Sequence, residues 1–78
     1  MKTHVTTITF GNRKGQMVEF TRSRDRLMLM MRFERQNTFY PVVHQSDNNG
    51  YVGVGQEGGN VLDVIMRDEE FKQIMRIV

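Results

Sequence analysis

Arg22-Ser23-Arg24-Asp25-Arg26 runs straight into Leu27-Met28-Leu29-Met30-Met31, so a compact group of guanidinium side chains sits at the lip of the most apolar stretch of the chain. A guanidinium presents forked N–H donors to phosphate or carboxylate oxygens. The chemistry on offer is therefore recognition of phosphate or of an acidic protein surface, set against the plainer reading of a solvated charged turn. Arg13 and Lys14 form a second basic pair inside Gly11-Asn12-Arg13-Lys14-Gly15. The candidate partner-binding residues are Arg13, Lys14, Arg22, Arg24, Arg26 and Arg32, with Met30 and Tyr51 as apolar and ring contacts beside them. Methionine is adaptable and polarisable, and the chain holds seven, which serve equally well as core filler.

Other motifs offer less. Gly53-Val54-Gly55-Gln56-Glu57-Gly58 matches G-x-G-x-x-G letter for letter. That fingerprint works by packing backbone N–H groups around a pyrophosphate at a helix N-terminus, early in a βαβ unit, with an acid about 20 residues on. Here the chain after Gly58 is too short for the second parallel strand, and Glu57 sets negative charge where phosphates would lie, so the segment reads as a glycine-rich connector. His4 and His44 read as half-exposed strand residues. With two histidines and no cysteine there is neither a thiolate nucleophile nor a standard zinc ligand set. Glu69 and Glu70 are accounted for by a helix N-terminus. No catalytic residue, cofactor or metal is expected.

The bounds agree. Seventy-eight residues give room for one domain, residues 1–78, with a thin core: a chain this short buries only about 60% of its unfolded surface. The lack of cysteine suits a reducing compartment. No apolar run approaches the roughly 20 residues that span a bilayer, and Met1 to Thr7 has no signal-peptide pattern. The expected location is cytoplasmic, with no membrane partner. The net charge of +2 is uneven. Residues 1–39 hold eight Lys/Arg against three acids, which is +5, and residues 40–78 hold three against six, which is −3. A basic half and an acidic half permit a polarised binding surface or head-to-tail self-association.

The elements that position these residues follow from periodicity. Residues 4–10 are β-branched and alternate, which reads as a strand with Ile8 and Phe10 on one face. After the Gly11–Gly15 turn, Gln16 to Arg22 returns with Val18 and Phe20 opposite Met17, Glu19 and Thr21. Residues 24–36 contain good helix formers, and Ser23 suits an N-cap. Their apolar residues nevertheless spread around the whole helical circle, whereas Leu27, Leu29, Met31 and Phe33 align at period two, so a strand is favoured. In that case the Arg13–Lys14 turn and the Arg22–Arg26 cluster lie at opposite ends of the sheet. Met28 and Met30 then share a face with Arg26 and Arg32.

Thr38 to Gln45 reads as a strand with Pro41 marking a bulge or a missing ladder bond. Asn48-Asn49-Gly50 is a hairpin signal, and residues 51–54 return from it. Val61 to Met66 is either a helical turn capped by Asn60 or a short strand. Asp68 suits an N-cap, and Phe71, Ile74, Met75 and Val78 share one face of a C-terminal helix.

The expected fold is α+β: an antiparallel meander of about five strands with a C-terminal amphipathic helix packed on one face, and ββαββα as the alternative. The expected function is binding without catalysis, in which the domain docks on a larger protein or nucleoprotein complex and regulates or inhibits it. Small inhibitors carried by phages and mobile elements, anti-defence proteins among them, belong to this size class. The second reading is nucleic-acid binding through the basic N-terminal half, and the third is a structural homodimer.

Overall fold

The computed structural model describes residues 2–9, 11, 13–44, 51–55 and 62–78. Six strands and one helix follow in chain order: β1 (His4–Thr7), β2 (Met17–Arg22), β3 (Leu29–Phe33), β4 (Tyr40–His44), β5 (Tyr51–Gly55), β6 (Leu62–Arg67) and α1 (Asp68–Ile77). The strands form one antiparallel sheet in the order β1-β2-β3-β4-β5-β6, a meander in which each strand pairs with its chain neighbour. This is the expected α+β architecture with one strand more, because residues 62–67 extend rather than coil. The ββαββα alternative fails at β3, which is a strand. The Asn48-Asn49-Gly50 turn and the Asn60 cap lie outside the described residues.

Period-two alternation decides which side chains enter the core. Val18 and Phe20 of β2 face Phe33 and Met31 of β3 in register, and all four are buried. Leu29 joins them, as do Val42 from β4, Ile65 and Met66 from β6, and Ile74 and Val78 from the helix end. Tyr40, Phe71 and Met75 pack around this cluster. Each fully buried apolar side chain contributes about 1.5–3 kcal/mol, so a few of them carry much of a domain this small. The β3–β4 ladder is short, Met30 to Pro41 and Met31 to Tyr40, where Pro41 has no N–H to give.

Two local features shape the sheet. Between β5 and β6 the register shifts: Val52 pairs with Met66 but Gly53 pairs with Val64, which leaves Ile65 as the extra residue of a bulge. That extra residue is why Ile65 and Met66 are both buried although adjacent. Gly11 has φ of +80°, and a Cβ there would stand 2.9 Å from the carbonyl oxygen of Val64. The β1–β2 turn therefore closes against β6 across the curl of the sheet, and only a residue without a side chain allows that approach.

At the other boundary Arg67 occupies the N-cap position of α1, with extended backbone and no side-chain cap bond. The expected Asp68 cap is one residue late because β6 stays paired through Arg67, opposite Tyr51. Asp68, Glu69 and Glu70 fill the first helical turn instead, where negative charge favours the helix dipole.

Candidate functional site

The chain leaves β2 at Arg22 and re-enters the sheet at Leu29, and the six residues between them form a turn built by side chains. The Ser23 N–H donates to the Met28 carbonyl at 2.9 Å, and the Arg26 N–H donates to the Ser23 carbonyl at 2.9 Å. The Ser23 hydroxyl donates to Oδ1 of Asp25, and the same oxygen accepts from the Leu27 N–H at 3.1 Å. The Met28 N–H reaches Ser23 Oγ at 3.1 Å. These donors, the Ser23 hydroxyl first and the Leu27 amide second, hold the Asp25 carboxyl below its ordinary value. Arg26 takes the left-handed conformation with φ of +65°, a place where glycine is the usual occupant.

The arginines of this turn divide between two tasks. Arg22 falls on the same alternation as Val18 and Phe20, so it enters the core side at the rim of the sheet. There its guanidinium donates to the Met75 carbonyl in the last turn of α1 and, at 2.9 Å, to the Arg26 carbonyl. Arg26 donates to the Val78 carbonyl at 2.8 Å. The last carbonyls of a helix have no partner within it and carry the negative end of its dipole, so two cations fit there. Arg22 and Arg26 thus clasp the helix end to the hairpin. Arg24, by contrast, is exposed at the apex and has no hydrogen bond or ion pair among the described residues. Leu27 is 77% exposed and Met28 46%. The period-two alignment that placed Leu27 with Leu29 on the inner face is corrected here: Asp25 and Ser23 bind the Leu27 and Met28 amides, and the ladder begins only at Leu29.

The other candidates lie elsewhere. Arg13 sits at the opposite end of β2, its guanidinium 4.1 Å from the Phe33 ring centroid and its Nη1 donating to Gln16 Oε1 at 3.3 Å. Lys14 is exposed beside it. Arg32 lies on the outer face of the sheet, paired with Glu19 across the strands and 5.2 Å from the Phe39 ring centroid. Met30 is half-buried on that outer face, in register with Thr21 and Pro41. An apolar patch flanked by Arg26 and Arg32 does not form, because Arg26 turns to the helix end and Arg32 to Glu19. Tyr51 pairs with Arg67 in the β5–β6 ladder, and its side chain lies outside the described residues.

The outer face also carries an open groove of about 420 Å³ lined by Val5, Met17, Glu19, Arg32 and the β3–β4 connection. Its central charges neutralise one another. Gly53 and Gly55 of the G-x-G-x-x-G match are β5 residues, and the next described element is the strand β6; Gln56, Glu57 and Gly58 lie outside the described residues. Among the described residues no three His, Asp or Glu side chains stand together as metal ligands, and no helix is long and apolar enough to cross a membrane. No protein-family model, curated protein or solved structure matches the chain.

Proposed function

We propose that this chain is a binding protein without catalysis, which docks on a larger protein or nucleoprotein complex and regulates or blocks it, with the β2–β3 hairpin end as its point of contact. One observation carries the reading: a turn fixed by its own hydrogen bonds and clasped to α1 by two arginines holds Arg24, unpaired among the described residues, beside an exposed Leu27. A projection that is already ordered loses little conformational entropy when it is buried by a partner. An exposed leucine at its apex offers roughly 1.5–3 kcal/mol if fully covered. Its size suits the inhibitors of phages and mobile elements, which act by occupying a larger protein.

The test is retention of a partner from an extract of the cells the protein comes from, by the tagged chain and by Leu27→Asp, with and without nuclease. The expected result is a complex that survives nuclease and is lost in Leu27→Asp while the variant keeps the wild-type melting temperature. A complex that nuclease removes would put nucleic acid first. Retention by Leu27→Asp would move the contact away from this turn.

A further inference from the structure

The hairpin end also has a charge balance that selects the chemistry of what covers it. Arg22 is bound to the Arg26 and Met75 backbone carbonyls, which are neutral acceptors, so its positive charge is oriented but not cancelled, and Arg26 is spent on the Val78 main-chain oxygen. Arg24 adds a second charge, and Arg76 a third in the last helical turn, next to the Met75 carbonyl that Arg22 holds. The single acid of the turn, Asp25, directs its Oδ1 into the Ser23 hydroxyl and the Leu27 amide. Among these same residues are three exposed aliphatic side chains: Leu27, Met28 and, just before Val78 in α1, Ile77 at 41% exposure.

Resting on the reading above, we propose that this end takes a protein surface in which Asp or Glu side chains rim an apolar pocket, with Leu27 as the inserted side chain and Arg24 as the chief carboxylate-binding group. Charge complementarity favours an acidic partner. The apolar component favours protein over nucleic acid: the exposed carbon at the apex is aliphatic, whereas single-stranded nucleic acid is held by aromatic stacking. Arg13 and Lys14 occupy the far end of β2 and Arg32 is paired with Glu19, so none of these three extends the patch, although Lys2, whose carbonyl accepts from the Thr21 hydroxyl, stands near it. Arg24 meets the rim of the pocket and Leu27 its interior, so the two make separable contributions.

The experiment replaces Leu27 with the photoreactive benzoylphenylalanine in the full chain, irradiates it in its native cells and maps what is joined to it, with the same replacement at Lys14 as a second probe. The expected product at position 27 is one protein, joined within a few residues of an Asp or Glu cluster that borders apolar residues. Arg24→Glu should lower the yield about tenfold, the scale of a close charge pair, and reversal of the partner's acid to Lys should restore it. Joining to nucleic acid, joining to a second copy of this chain, or indifference to Arg24→Glu would overturn the proposal. Capture of a partner at position 14 but not at 27 would overturn this site and the hairpin end as the point of contact, while binding without catalysis stands. No capture at either position would overturn both.

Discussion

The two ends of β2 carry turns of similar charge and opposite construction. At one end Gly11–Gly15 turns on two glycines with φ of +80° and +90°, and its basic residue Arg13 lies over Phe33. At the other, Ser23–Met28 has no glycine; side-chain oxygens of Ser23 and Asp25 tie the backbone, and an arginine occupies the left-handed position. The first turn gains its shape from the absence of side chains and meets β6 by close backbone approach. The second gains its shape from side chains and meets α1 through guanidinium groups. Similar charge therefore yields a fastening at one end and, at the other, a fastening that also displays Arg24 and Leu27. What separates them is where each charge finds its acceptor.

The largest effect that would sharpen this contrast is expected at Gly11. An alanine there meets the Val64 carbonyl oxygen at 2.9 Å and must also hold φ of +80°, whereas an alanine at Gly15 has open space and meets only the backbone cost. Gly11→Ala is expected to lose roughly 2–4 kcal/mol of stability and Gly15→Ala about 1 kcal/mol. Urea unfolding of the two variants measures the difference. Equal losses would mean that the approach to β6 contributes nothing and that both glycines serve the turn alone.

Next in size is the clasp. Arg22→Met keeps a long apolar stem but removes the donors to the Met75 and Arg26 carbonyls. Hydrogen bonds from charged donors contribute about 1.5–3 kcal/mol, so a loss of about 2 kcal/mol is expected. The buried Nε of Arg22, which has no partner among the described residues, keeps that figure from the upper end. Hydrogen exchange should speed up in the last turn of α1 and leave β1 and β2 near Gly15 unchanged. Uniform loosening of both ends would erase the distinction drawn between them.

Much of this was readable from the chain, and the exceptions have physical causes. The Val18–Phe20 alternation of β2 and the Phe71, Ile74, Met75 and Val78 stripe of α1 mark buried faces that the structure keeps. The same alternation already put Arg22 on the inner face. One of its two acceptors, the Met75 carbonyl, lies more than fifty residues away, at a helix end that no local pattern points to. In β3 the period-two run took in Leu27 because periodicity registers apolar residues and not the Ser23 and Asp25 bonds that withdraw two of them from the ladder. Around β6 neither period fits Val61 to Met66, since the bulge at Ile65 changes phase within the strand. The basic cluster was visible as a cluster; its division into clasping and displayed arginines depends on tertiary contacts.

The smallest effect separates the turns by proton. Only the Ser23–Met28 turn contains a titrating acid, and the Ser23 hydroxyl and Leu27 amide lower the Asp25 pKa from 3.8 in the folded state. A depressed folded pKa contributes stability that is fully present above the unfolded value and is lost as pH falls through the folded one. Protection of the Arg26 and Leu27 amides should therefore decline below about pH 4, near the ordinary carboxylate range. Protection of the Gly15 amide, bonded to the Ile8 carbonyl, should hold over the same interval. In Asp25→Asn an amide oxygen can still accept from Leu27 but nothing titrates, so the difference from wild type should shrink as acid is added. An Asp25 carboxyl that titrates at or above 3.8 by NMR would show that the carboxylate does not hold this turn, leaving the arginine clasp alone to order the residues that display Leu27.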